Sequence, residues 1–182
     1  MTRWITYAAL AFLGSLASGA ARPPAADSIA SNDNRRSAGT LKNGILTVAI
    51  EARMGAWRPE GDSGRALDVA AFAEAGKPLT TPGPLIRVPL GTEIHATVHN
   101  RLDKPLIVYG FGKTRGPSDS VIVPVSGTVP VQFKATAPGT YYYLAKRGVD
   151  PFGLRLVEDM QLHGVIVVDP PNARRDAGDR IF

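Results

Sequence analysis

Three histidines, His95, His99 and His163, are the only imidazoles in the chain, and cysteine is absent. Imidazole nitrogens and thiolates are the usual protein ligands for transition metals. Without cysteine there can be no disulfide, thiolate zinc site, iron–sulfur cluster, cysteine nucleophile, lipoprotein anchor or blue-copper centre built on a Cys thiolate. Metal chemistry would therefore rest on the histidines. His95 and His99 share one face of a predicted strand, but four residues at ~3.3 Å each separate them by about 13 Å, too far for one ion. They flank Thr97 opposite the apolar Ile94-Ala96-Val98 face, which predicts solvent-facing strand residues. His163 stands beside Gly164 without a second imidazole nearby in sequence and is expected to be structural or exposed.

Nucleophilic and acid–base chemistry have little to build on. There is no Gly-x-Ser-x-Gly elbow, and Ser118-Asp119-Ser120 precedes a strand, where turn formation explains it. The adjacent carboxylates Glu158 and Asp159 are expected to diverge into solvent rather than share a proton. The run Tyr141-Tyr142-Tyr143 is expected to pack in a sheet and core rather than relay electrons.

The elements that carry these residues are short strands. Glycine (19) and proline (15) are abundant while 44% of residues are apolar, a mixture that favours strands joined by turns in one domain. Leu46, Val48 and Ile50 alternate with Thr47, Ala49 and Glu51, the two-residue period of a half-buried strand. Further strands are predicted over 66–75, 85–88, 92–100, 106–111, 121–123, 129–134, 140–145 and 165–168. Their spacing predicts an antiparallel β-sandwich or barrel. A helical turn within 153–161 is the one predicted exception.

Residues 1–20 read as a Sec-type secretory signal. Arg3 is followed by an apolar stretch shorter than the ~20 residues of a spanning helix and by the small residues Ala17-Ser18-Gly19-Ala20. Secretion or periplasmic export, with no membrane association after cleavage, is expected. Residues 21–41 lack a strand or helix period and are expected to be a flexible linker. The net charge of +5 comes from scattered side chains, with no basic run longer than Arg35-Arg36 or Arg174-Arg175, so nucleic acid is not an expected partner.

Three stretches in order carry a resemblance. They are Pro82-Gly83-Pro84-Leu85-Ile86-Arg87-Val88 with Gly91 and Val98-His99-Asn100-Arg101-Leu102; Ala137-Pro138-Gly139-Thr140-Tyr141-Tyr142-Tyr143; and Gln161-Leu162-His163-Gly164-Val165-Ile166-Val167-Val168-Asp169-Pro170. Together they resemble the N-terminal cupredoxin (plastocyanin-like) domain of the multicopper oxidases, over about residues 41–171. The resemblance implies an all-β, Greek-key sandwich of cupredoxin type spanning 42–171. In the family this domain gives two His-x-His pairs to a trinuclear copper cluster, each pair placed on one strand face. Matched residue by residue, the first pair falls on Tyr109 and Phe111 and the second on Leu144 and Lys146. All four imidazoles are replaced, so no metal ligand is expected, with His95, His99 and His163 as the remaining imidazoles. Copper belongs to the family rather than to this chain.

Residues 172–182 are expected to be a linker and the start of a following domain. The resemblance implies further cupredoxin domains, on a longer parent chain or in an oligomer, as partners, with copper-dependent oxidation coupled to dioxygen reduction as their joint activity. The chain alone is not expected to be an active oxidase. The competing expectation is a stand-alone secreted β-sandwich that binds protein or glycan.

Overall fold

A computed structural model describes residues 27–111, 119–148 and 159–173. Twelve strands make up its regular structure: β1 (Ile29–Ser31), β2 (Thr40–Lys42), β3 (Ile45–Trp57), β4 (Leu67–Glu74), β5 (Leu79–Thr81), β6 (Ile86–Pro89), β7 (Glu93–Asn100), β8 (Leu106–Tyr109), β9 (Ser120–Val123), β10 (Thr128–Lys134), β11 (Gly139–Arg147) and β12 (His163–Asp169). The described residues contain no helix. The helical turn expected within 153–161 falls largely outside them, as do the expected signal, residues 21–26 and 174–182.

Two sheets face each other. The larger runs β1-β5-β4-β3-β7-β10 with β2 beside β3, and the smaller runs β6-β12-β11-β8-β9. The antiparallel expectation needs one correction: β3 with β7, β12 with β6 and β1 with β5 are parallel pairs. Parallel neighbours come from chain segments that cross between the sheets, whereas the hairpins β3–β4 and β11–β12 give antiparallel ladders.

Alternation places the core. Leu46, Val48 and Ile50 of β3 and Ile94, Ala96 and Val98 of β7 point inward and are buried against Phe72, Phe111, Tyr143 and Ile166. Each of the larger aliphatic and Phe side chains contributes about 1.5–3 kcal/mol relative to exposure. Val165 to Val168 is buried apart from half-buried Val167, in keeping with a strand covered on both faces. Tyr143 is buried and Tyr141 packs against the same core, as their shared strand face predicts.

The expected flexible linker over 21–41 is corrected for its described part. β1 lies parallel to β5 (Ile29↔Leu79), β2 pairs β3 (Leu41↔Leu46), and Ser37 bridges to Leu85 next to β6. Residues 27–42 thus start on one sheet, touch the edge of the other and return. β1 also meets the far end of β3, where the Ala56 amide donates to the Asp27 carbonyl at 2.8 Å. The ring of β1, β5, β4 and β3 encloses a second, small core of Ile29, Val69, Ala71, Ala73 and Leu79, with Trp57 at its rim.

Candidate functional site

Register builds one outward row. Ser120 faces Tyr109, Tyr109 faces Leu144, and Leu144 faces His163 across β9, β8, β11 and β12. Facing residues of neighbouring strands share a side of the sheet, and Val108, Tyr143 and Ala145 next to them are in the core, so this row lies on the outer face. Ile122, Ile107 and Lys146 form the adjoining row, and Tyr142 faces Val165 on the other side. Ile122 is 62% exposed and Tyr142 61% exposed, while Lys146 is buried. The outer face of the smaller sheet therefore carries an apolar surface centred on Tyr109 and Leu144.

Phe111 departs from the pattern. Gly110 adopts φ +90, and a Cβ there would stand 2.3 Å from the Tyr142 carbonyl oxygen. This left-handed residue breaks the alternation after β8, so Phe111 turns inward. Its ring is fully buried and stacks on Tyr143 with centroids 4.8 Å apart. The expectation that positions 109 and 111 share a strand face is thus corrected: Tyr109 is on the outer face and Phe111 is in the core. Leu144 and Lys146, separated by Ala145, keep a common side.

These side chains do not fit a copper cluster. Phe111 and Leu144 have no donor atom, a Lys146 ammonium opposes a cation, and Tyr109 supplies only a phenol. His163 is the one imidazole of the row. Its Nδ1 lies 2.8 Å from the Met160 carbonyl; because a carbonyl only accepts, Nδ1 is the donor of this hydrogen bond. His95 and His99 sit on the outer face of the other sheet, beside Thr47 and Gln132 and beside Thr128 respectively. His95 Nε2 is 2.9 Å from Glu93 Oε1. They cannot join His163. Among the described residues no group of three or more His, Cys, Asp or Glu gathers as a metal site.

The three stretches that carry the resemblance meet at Tyr143. Its hydroxyl donates to the Pro84 carbonyl at 2.6 Å, the Gly83 amide donates to the His163 carbonyl at 2.7 Å, and a Cβ on Gly164 would lie 2.2 Å from the Tyr143 ring. Burial pushes the Tyr143 phenol well above its ordinary value, so it stays protonated and serves as a fixed donor. Tyr143 and Tyr141 pack in and against the core as expected, whereas Tyr142 is exposed on the outer face. Asp159 differs from its expected solvated state: it is buried and accepts from the Arg147 amide at 2.8 Å and from Arg147 Nε at 2.6 Å. Glu158 and Ser118 lie outside the described residues.

One charged cluster draws only Arg101 from the sequence motifs. Glu51, 4% exposed, accepts from Arg53 and from Arg101 Nε at 2.9 Å. Arg53 also donates to Asp27 Oδ2 at 2.8 Å and to the Lys77 carbonyl at 2.9 Å. The cluster lines a cleft of about 700 Å3 together with Ser28, Gly76 and Pro78. Glu51 and Arg53 share one face of β3, but Asp27, Lys77 and Arg101 come from distant parts of the chain, and Glu51 alternates like any outward strand residue, so the fold completes the cluster.

No family model matches the chain, and no curated protein matches it. Solved structures do. A copper nitrite reductase from Nitrosomonas europaea superimposes with a TM-score of 0.57 at 23% identity, over 71% of this chain and 43% of that one. A laccase from Pediococcus acidilactici gives 0.56 at 16% identity, over 81% of this chain and 30% of that one. A multicopper oxidase from Campylobacter jejuni, a metallo-oxidase, gives 0.52 at 17% identity, over 81% and 31%. The chain spans less than half the length of each. Identities this low carry the fold alone, and that fold is the cupredoxin-like β-sandwich.

Proposed function

We propose that this chain is an exported cupredoxin-like module that holds no copper cluster of its own and serves as a docking domain for further cupredoxin domains, on a longer parent chain or in an assembly. The observation that carries this reading is the outer row of the smaller sheet, where Tyr109 and Leu144 stand at two positions the resemblance gives to copper ligands. In a cluster shared between domains, those positions face the next domain. Apolar side chains there replace a metal-bridged contact by a packed one, in which Tyr142 and Ile122 add exposed apolar area. The solved structures of similar fold are longer than this chain, which supports the presence of further domains around it. Oxidation coupled to dioxygen reduction would then belong to the copper-bearing domains, with this module shaping their surroundings.

The test is copper stoichiometry of the purified chain without residues 1–20, after dialysis against a weak chelator, followed by sequencing the coding region beyond codon 182 and mixing the chain with the cupredoxin domains that region encodes. Near-zero copper and a complex that Tyr142→Lys breaks are expected. One tightly held copper per chain overturns the absence of a metal site. A copper-free chain that binds none of those domains overturns docking and favours the stand-alone binding module.

A further inference from the structure

The small core is built from two parts that differ in how they are attached. β3, β4 and β5 pair in succession, and β1 is added at the edge of β5. Three kinds of contact hold residues 27–31, and each reads a different property of an extended segment. The backbone is read by strand addition: Ile29, Ala30 and Ser31 pair in parallel with Leu79, Thr80 and Thr81, the Ala56 amide donates to the Asp27 carbonyl at 2.8 Å, and the Asn32 amide donates to the Thr81 carbonyl at 2.9 Å. An aliphatic side chain is read by a pocket: Ile29 is buried with Leu79 and Val69. Gly55 makes this approach possible, since a Cβ there would stand 2.8 Å from both Ile29 Cγ1 and the Asp27 carbonyl oxygen. A carboxylate is read by Arg53, whose Nε donates to Asp27 Oδ2 at 2.8 Å and whose own position is fixed by Glu51 and the Lys77 carbonyl.

Backbone pairing, a pocket for an alternate side chain and a fixed cation together make a peptide-recognition site of the strand-addition kind. We propose that the groove between β5 and the far end of β3 is an acceptor site for an extended peptide with a carboxylate two residues before an aliphatic side chain, filled by the chain's own residues 27–31 and able to take the same segment from a second copy. The second copy is the chosen occupant because it supplies the matching sequence and because the tether is short. Only five residues separate Ser31 from Ser37, which is fixed to the Arg87 backbone at 3.0 Å, and Asn34 among them adopts φ +53. A short connection with a residue in the left-handed region favours exchange, since an extended connection relieves it. This site is on the opposite sheet from the proposed docking face and stands or falls independently of it.

The test uses the full chain and a fluorescent peptide of residues 26–33. Ile29→Asp empties the groove of its own segment, so the peptide is expected to bind that variant saturably and at least tenfold more tightly than wild type, whose groove is filled. The same peptide carrying Ile→Asp is expected to bind at least tenfold more weakly, and adding Gly55→Val to the Ile29→Asp chain to abolish binding. A folded Ile29→Asp chain that takes neither peptide, or both equally, overturns the proposal. If Ile29→Asp does not fold, Asp27→Ala replaces it. That variant loses only a carboxylate that is 61% exposed, and peptide binding no tighter than wild type there is equally fatal. Wild-type chain refolded at high concentration is expected to yield a strand-exchanged dimer; a monomer at every concentration overturns the second copy as occupant.

Discussion

The ring of Tyr143 rests on Gly164 so closely that a Cβ at residue 164 would lie 2.2 Å from it, while the Tyr143 hydroxyl donates to the Pro84 carbonyl at 2.6 Å. Tyr143→Phe removes one buried hydrogen bond without opening a cavity, and a loss of about 1–2 kcal/mol is expected. Gly164→Ala forces the ring to move and is expected to cost about 3 kcal/mol through overpacking. Urea unfolding of the two variants measures both, and a Gly164→Ala chain as stable as wild type contradicts this contact.

The same phenol governs stability at high pH. Burial raises the Tyr143 pKa in the folded state above its ordinary value of 10.0. Above that pH the unfolded chain releases the proton while the folded chain retains it. The unfolded state then binds fewer protons, so stability falls as pH rises, by about 1.4 kcal/mol per pH unit from this group. Below pH 10 it contributes no slope. Unfolding curves between pH 9 and 11.5 are expected to show a steeper decline in wild type than in Tyr143→Phe; parallel declines refute the assignment.

Arg147 and Asp159 form an ion pair with both side chains buried. Asp159→Asn removes this buried counter-charge and leaves the guanidinium the exposed Asp103 carboxylate, 3.7 Å away, and a loss of about 3 kcal/mol is expected, much more than for the more exposed pair Lys77 and Glu74. Thermal unfolding of Asp159→Asn beside Glu74→Gln separates the two cases.

Tyr109, Leu144 and His163 stand side by side on neighbouring strands, with facing Cβ atoms about 5 Å apart. Tyr109→His with Leu144→His is therefore expected to create a three-imidazole site that takes one copper or zinc ion per chain, read by metal titration and lost again in the His163→Ala background. Phe111→His added to it is expected to lower stability without tightening metal binding, because residue 111 faces the core. Unchanged metal binding in the double variant means that the register of β8, β11 and β12 differs from this one.

The long strands were legible because one face of each is in the core. Leu46, Val48 and Ile50, and Ile94, Ala96 and Val98, print that burial into the sequence as a two-residue period. β1, β2 and β5 have three residues each, too few for a period, and β1 exists through a partner fifty residues along the chain. Ile29 therefore reads as part of a polar linker until Leu79 is placed beside it. The inward turn of Phe111 was hidden for a different reason: alternation assumes a regular strand, and one left-handed glycine reverses it. Glu51 looks solvent-facing by position and is buried only because Arg53 and Arg101 close over it.

The path of residues 27–42 also sets an order on folding. Ile29 waits for Leu79, and Ser37 for Leu85, so when residues 29–31 and 37 leave the ribosome their sheet partners lie some fifty residues further along the chain. Contacts this distant in sequence form late, because loop closure precedes any gain from them. Until then the rim of β5 and the floor around Val69 and Ala71 are uncovered, and the chain passes through a stage in which residues 27–31, among the earliest made, are the piece still missing.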